Sequence, residues 1–399
     1  TGKIVTVIPK GTEVKSSEEQ DGWLKVSYEG KTGHVSNDYL YEITKETAGK
    51  IATYENNPYV MMDLRTKSSV TADQINQYLV SYGEVTAENS VLYNTGQLFI
   101  DAANKYGVNA LYLAAHAIHE SSYGKSEISK AKYNLFGYTA FDSAPFIAAA
   151  RFDSAASGIE FLAQQMKATY LNPSDPTNKY NGAYLGYTIK DNEGKKVEVL
   201  STGMNFNYAT DSDWGIKIAK HMERILASSQ ETALKQQPNT VVPSQAAVPD
   251  LKDVFPANTL AVANQAISLY DKNGVKSAAI QKGETFNLLE KTNGFKLTVT
   301  YKGNTYQTAR TSFSRYYELF TVKNLARVVK TEVVNVREKS STSSNLIGTL
   351  PRNQFIELVL DNNQNPIIEN TNWYNVKLDD GRTAWVHKDY LELQLNSGK

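Results

Sequence analysis

Residues Asn109 to Gly124 read NALYLAAHAIHESSYG, and this stretch decides the architecture of the middle of the chain. Asn109 can cap a helix N-terminus with its side-chain oxygen, so a helix is expected from Ala110 to about Ser122. Alanines at 114, 115 and 117 permit close packing on several sides, which predicts a central, largely buried helix. Glu120 stands at its end, just before the break Ser-Ser-Tyr-Gly. A carboxylate in that place is costly unless paired, so one reading is a salt-bridged or backbone-bonded glutamate. The other is a general acid whose proton is retained near neutrality by desolvation. The residues alone leave both open. His116 and His119 lie three apart, but HAIHE is neither HExxH nor HxxEH, and a third ligand would have to be His221 or a distant carboxylate. No metal is expected. The histidines read as core or supporting groups, with His116 one turn before Glu120, where it could orient or polarise that side chain.

Helical spacing continues outward over residues 66–227. Thr71 and Gln74 form a capping box ahead of Ile75, Leu79 and Tyr82. Thr95 can cap a second helix that Gly107 ends. Asp153 or Ser154 can start another through Ile159, Leu162 and Met166, and Trp214 to Leu226 makes a last one. The result is an all-α or mostly α domain of about 160 residues, large enough to bury its own core. Its longest loop, Lys132 to Ser154, reads KYNLFGYTAFDSAPFIAAARFDS. Asn134, Phe136, Tyr138, Phe141 and Asp142 crowd there, as flat apolar faces and short polar groups that suit a sugar groove or, equally, a loop core. Asp153 reads as a helix cap. A second aromatic cluster, NFNYATDSDW from Asn205 to Trp214, has Asp211 and Asp213 as possible caps and can aim Asn207 and Tyr208 at the same groove.

The flanks have a period of two. Residues 1–45 read as short strands, with Lys3 to Ile8 as a strand, Ser16 to Gly22 as a polar turn, and Trp23 to Tyr28 alternating. WLKVSYEGKTGHVSNDYL at 23–40 returns as WYNVKLDDGRTAWVHKDYL at 373–391, which marks two copies of one module. The second copy has an opening strand, Val333 to Glu338, that the first lacks, so the chain is expected to begin inside its first module, as a fragment or processed form, or to have that module completed elsewhere. Residues 46–65 read as a connector, 228–250 as a Gln/Ser/Pro/Thr linker, 251–330 as a divergent β module and 331–396 as the second copy. Trp373, Trp385 and Tyr390, with Trp23 and Tyr39, are stacking candidates. His34 stands where the second copy has Trp385, which makes Trp385 the better ligand candidate.

Composition narrows the function. The chain of 399 residues has 42 basic and 42 acidic side chains, so a strongly basic nucleic-acid binder is not expected. With 41% hydrophobic and 21% charged residues, disorder throughout is ruled out. There are no cysteines, hence neither disulfides nor thiolate chemistry. No apolar run reaches the roughly 18 to 20 residues that span a bilayer. The opening at Thr1-Gly2 lacks a signal-peptide pattern.

HES at 119–121, YGKS at 123–126, NLFG at 134–137 and NYATD at 207–211 together resemble the family-73 glycoside hydrolases, bacterial peptidoglycan β-N-acetylglucosaminidases of the cell-separation autolysin type. The flanking repeats resemble bacterial SH3 modules. The resemblance implies a multidomain chain with a central lysozyme-like all-α catalytic domain between small all-β SH3-like modules. It implies hydrolysis of the β-1,4 bond between N-acetylglucosamine and N-acetylmuramic acid, without a cofactor, by a secreted, wall-associated monomer. It maps the catalytic acid to Glu120 and a tyrosine near the acetamide-bearing sugar to Tyr208. Asp142 is the candidate second carboxylate, with Asp153 less favoured. Asn134, Phe136, Tyr138, Phe141, Asn207, Trp214 and His116 are the expected substrate-side residues. Either Asp142 acts as base on a water, or the substrate's N-acetyl oxygen attacks with Tyr208 and Asp142 assisting. Two other readings stay open: a muramidase or lytic transglycosylase of the same fold, and a wall-binding protein without activity.

Overall fold

The computed structural model describes residues 3–396. Its main helices are α1 (Lys45–Glu55), α2 (Ala72–Ser81), α3 (Gly96–Tyr106), α4 (Ala110–Glu120), α5 (Glu127–Lys132), α6 (Pro145–Ala148), α7 (Ala155–Ala168), α8 (Met204–Tyr208) and α9 (Trp214–Ile225). The N-terminal strands are β1 (Lys15–Gln20), β2 (Trp23–Tyr28) and β3 (Lys31–Ser36). The chain divides into two compact units. One holds residues up to Glu84, Asn94–His119 and Leu162–Ala246; the other holds Val85–Tyr93, Glu120–Phe161 and everything from Ala247. Within the expected 66–227 domain, segment 120–161 clusters with the C-terminal β modules.

In the first unit the capping box at Thr71 and Gln74 forms as the sequence predicts. Gly107 closes α3 in the left-handed conformation. Asn109 caps α4: its Oδ1 accepts the Tyr112 N–H at 3.0 Å while its Nδ2 donates to the Thr66 carbonyl at 3.2 Å. Every residue of α4 from Ala110 to Ile118 is buried, and Leu111, Leu113 and Ile118 each contribute about 1.5–3 kcal/mol by leaving water. Residues 46–65, expected as a connector, contain most of α1, capped by Thr44. The 228–250 linker is not free over its first part. Glu231, 3% exposed, accepts from Ser68 and Ser69, and the Asn239 carbonyl accepts from Lys167. These polar anchors have no apolar period, which is why composition alone suggested a linker.

The N-terminal sheet has the order β1-β2-β3. Lys3 to Ile8 forms no strand, and β1 occupies most of the expected polar turn. The two differences have separate causes. Lys3 to Ile8 corresponds to the strand Leu346–Pro351 of the second copy, whose hydrogen-bonded partner is Val333–Arg337; among the described residues of the first copy Lys3 to Ile8 has no such partner strand. Lys15–Gln20 is exposed at every position, so its sequence has no apolar alternation to announce a strand.

In the second unit the middle module contains β4 (Lys252–Val254), β5 (Leu260–Ala263), β6 (Ile267–Tyr270), β7 (Lys276–Ile280), β8 (Thr285–Thr292), β9 (Leu297–Tyr301), β10 (Asn304–Thr308) and β11 (Phe320–Val322), in the order β11-β5-β8-β9-β10-β6-β7 with β4 on β8. The C-terminal module follows after two residues, with β12 (Leu325–Val328), β13 (Val333–Arg337), β14 (Leu346–Pro351), β15 (Phe355–Leu358), β16 (Ile368–Glu369), β17 (Trp373–Lys377), β18 (Thr383–His387) and β19 (Leu391–Leu393). Its register reproduces that of the first copy. Trp373 opposes His387 and Asn375 opposes Trp385, as Trp23 opposes Ser36 and Lys25 opposes His34.

The segment 120–161 is built into these modules. Ala144, Phe146, Ile147 and Ala148 belong to the same apolar core as Phe286, Leu288, Phe295 and Phe313. Lys132 and Lys291, both fully buried, donate to carbonyls of Ile147, Ala148 and Ala149 at the end of α6. Asp253, 1% exposed, accepts from Lys132 at 2.7 Å and from Arg151 at 2.9 Å. Burial pulls both lysines below their ordinary range, and Asp253 opposes that. On the other side Arg327 lies 3.8 Å above the Phe146 ring and pairs with Glu127 of α5 at 2.8 Å.

Candidate active site

Glu120 is the last residue of the buried helix α4 and is itself half-buried. The helix ends there because Ser122, Tyr123 and Gly124 all take positive φ, at 51°, 60° and 73°. The Ser121 hydroxyl accepts the Gly124 N–H at 2.7 Å and locks the turn. At Gly124 a Cβ would come within 2.6 Å of Ser90 Oγ and 2.7 Å of Leu92 Cγ, so only glycine fits. The carboxylate thus sits where a rigid helix meets a rigid turn.

In the first unit, α4, α8 and α9 assemble an aromatic cluster around His116. This side chain is fully buried. Its Nδ1 lies 3.0 Å from the Tyr112 hydroxyl and its Nε2 lies 2.9 Å from the Tyr208 hydroxyl. Burial lowers its pKa to about 3, with His119 adding to the effect, so the ring is neutral and offers one donor and one acceptor. His116, expected on the substrate side or against Glu120, has both ring nitrogens at tyrosine hydroxyls, one of them that of Tyr208. Trp214, also expected on the substrate side, is 3% exposed and lies beneath Tyr208 at 4.7 Å between ring centres. Tyr170 meets the Tyr208 ring edge-on at 5.3 Å. Tyr208 itself is half-buried and Asn207 is exposed, its amide donating to the Lys179 carbonyl at 3.2 Å. Tyr112 and Tyr170 escaped the sequence reading. Tyr112 had a signal, since it precedes His116 by one helical turn. His119 and His221 rings lie 5.8 Å apart, and His221 Nδ1 is 2.8 Å from the Tyr78 hydroxyl. Among the described residues no group of three or more His, Cys, Asp or Glu side chains is placed to hold a metal.

In the second unit the loop after α5 brings Asn134, Phe136, Tyr138, Phe141 and Asp142 together on one segment. Asn134, expected to bind substrate, is 2% exposed and fully engaged. Its amide donates to the carbonyls of Tyr138 and Ala150 at 2.9 Å, and its Oδ1 accepts the Tyr138 N–H at 2.9 Å. It is a clasp that shapes the loop. Phe136 is 8% exposed, again more core than surface. Tyr138 is half-buried with its ring edge against Phe161 at 4.8 Å. Phe141 is 37% exposed and Asp142 follows it in an exposed turn. The turn is anchored by Ser143, whose hydroxyl donates to the Phe313 carbonyl at 2.6 Å. Asp153 does not cap α7. Ser154 does, accepting the Ser157 N–H at 3.2 Å, and Asp153 is exposed.

Of the expected wall-binding residues, Trp373 is 7% exposed and packs edge-on against His387. Trp385 is half-buried and Tyr390 is 39% exposed. Trp23 of the three-stranded copy is 51% exposed.

Residues 96–227 match the glucosaminidase family, described as mannosyl-glycoprotein endo-beta-N-acetylglucosaminidase, and residues 1–41 and 332–392 match the bacterial SH3 domain. The chain thus carries a glycoside hydrolase domain together with bacterial SH3 modules. More particularly, that region is similar to proteins described as endo-beta-N-acetylglucosaminidases. A Streptococcus pneumoniae protein described as an endo-beta-N-acetylglucosaminidase is 34% identical over 169 residues, covering 42% of this chain and 22% of that protein. A Bacillus subtilis beta-N-acetylglucosaminidase is 27% identical over 149 residues, covering 36% of this chain and 16% of that protein. The chain matches less than a quarter of the length of either relative. Among solved structures, Staphylococcus aureus Autolysin E in complex with a muropeptide is 24% identical with a TM-score of 0.33, covering 54% of this chain and 88% of that one.

Proposed function

We propose that this protein hydrolyses the β-1,4 bond between N-acetylglucosamine and N-acetylmuramic acid in peptidoglycan, with Glu120 as general acid. The observation that carries the reading is the glucosaminidase match over 96–227, within which Glu120 ends a buried, capped helix. A glycosidic oxygen leaves poorly as an alkoxide, and a carboxylic acid at a fixed, half-desolvated position can protonate it. The oxocarbenium-like charge then needs a partner. Asp142, on its anchored turn, serves either as base to a water or as support for attack by the substrate's N-acetyl oxygen. Tyr208, its hydroxyl held by neutral His116, supplies a fixed dipole for the acetamido group. Asn134 and Trp214 act one step back, by shaping the loop and the tyrosine. The SH3 modules hold the protein, as a monomer secreted to the wall, close to its substrate and so raise its effective concentration. Trp385 and Tyr390 are the C-terminal module's candidates for that contact.

Mass spectrometry of fragments released from purified, reduced peptidoglycan tests the reading, with Glu120→Gln beside the unaltered protein. New reducing-end N-acetylglucosamine, absent with Glu120→Gln, is the expected result. Reducing-end N-acetylmuramic acid or 1,6-anhydro ends would replace the bond assignment, and no release would remove the activity.

A further inference from the structure

The middle β module places an exposed cation beside the loop that carries Phe141 and Asp142. Arg310 follows β10, and its guanidinium lies 5.5 Å from the centre of the Phe295 ring. The same ring meets Phe141 at 5.8 Å. Arg310 thus shares an aromatic neighbour with the residue preceding Asp142. It also acts on the Tyr138 hydroxyl, opposing the rise that burial imposes there. Among the described residues no carboxylate lies within ion-pair distance of Arg310, whereas Arg151, Arg327 and Arg352 of the same unit each hold one. The position is fixed on both sides. The Thr311 N–H donates to the Phe295 carbonyl at 2.8 Å. Asn293 accepts the Arg151 N–H and donates back to its carbonyl, each at 2.8 Å. A guanidinium over an aromatic face, without an anion of its own among the described residues, has the chemistry that recognises carboxylates.

We propose that Arg310, with Tyr138 and Phe141, forms a carboxylate-binding subsite beside Asp142, contributed by the middle β module and directed at the acidic substituent of the N-acetylmuramoyl residue. The proposal rests on the hydrolase reading above. The carboxylate is that of the lactyl ether on bare glycan, or one belonging to the peptide where a peptide is attached. The module is then part of the substrate site as well as of the scaffold.

Steady-state kinetics on soluble glycan strands test this with three substrates: peptide-bearing strands, strands stripped of peptide by an amidase, and stripped strands whose carboxylates have been converted to neutral amides. Arg310→Gln is expected to raise KM about five- to tenfold on the strand that carries the recognised carboxylate, with kcat within about twofold. Arg310→Lys recovers part of the loss, and the wild type and Arg310→Gln converge on the amidated strands. A rise on stripped strands identifies the lactyl group; a rise confined to peptide-bearing strands identifies the peptide. Equal KM values for wild type and Arg310→Gln on both carboxylate-bearing substrates overturn the subsite and leave the hydrolase reading standing. No product from the wild type on any substrate overturns that reading, and the subsite with it.

Discussion

Replacing His116 by Gln removes one titrating ring while keeping a neutral donor and acceptor between Tyr112 and Tyr208. The ring's pKa lies at about 3 when folded, against 6.5 for an ordinary histidine, because burial excludes the charged form. On acidification the unfolded chain takes up this proton near pH 6.5 while the folded protein refuses it until about pH 3. The unfolded state binds more protons throughout that window, so stability falls as pH drops through it and is unaffected above it. Each unit corresponds to about 1.36 kcal/mol, so two units of acidification below 6.5 cost about 2.7 kcal/mol from this residue alone. Urea unfolding of both proteins at about pH 7.5 and about pH 4.5, read from the helix signal, isolates it. The carboxylates titrate alike in both proteins and cancel in the double difference. Wild type should lose about 2–3 kcal/mol more than His116→Gln between the two conditions. Equal losses would refute the assignment of a neutral, water-excluded ring.

Asp253→Leu leaves Lys132 and Lys291 buried without their carboxylate and should destabilise by about 3–5 kcal/mol near neutral pH, measured by denaturant unfolding. The deficit should shrink as pH rises above about 8, because the folded protein releases those lysine protons before the unfolded chain does. Asp142→Asn should slow wall hydrolysis by about 10²-fold or more, while Asp153→Asn stays within about twofold; equal effects of the two would contradict the assignment of the second carboxylate. Gly124→Ala should cost on the order of 2 kcal/mol or more, since it meets both a left-handed backbone and two contacts under 3 Å, and a thermal melt unchanged from wild type would show that the turn after Glu120 relaxes freely.

The features legible in the sequence are those written as local patterns. The Thr71 capping box, the alanine-rich α4 and the paired strands after Trp23 and Trp373 each follow from neighbours a few residues apart. What stayed hidden depends on partners distant in the chain. Lys132, Asp253 and Lys291 read as ordinary surface charges because nothing local links them, yet all three are buried together. The same holds for Asn134, whose amide donates to the carbonyls of Tyr138 and Ala150, four and sixteen residues further on. β1 was illegible for a different reason: a strand exposed on both faces has no hydrophobic period. The sequence names the motif residues of the candidate site but not which of them lie near a surface and which are buried, since burial is a property of the packed chain.

The core shared by Ala144, Phe146, Ile147 and Ala148 with the middle β module sets the grain at which this protein can be recombined. A cut in the polar stretch before Ala247 looks harmless in sequence, but it would strand those apolar side chains in water and uncover two buried lysines. Segment 120–161 therefore travels with the β modules that begin at Ala247. Exchange of SH3-like repeats among related chains should accordingly be easier at the N-terminal copy, whose strands carry few buried residues, than at any joint within the C-terminal half.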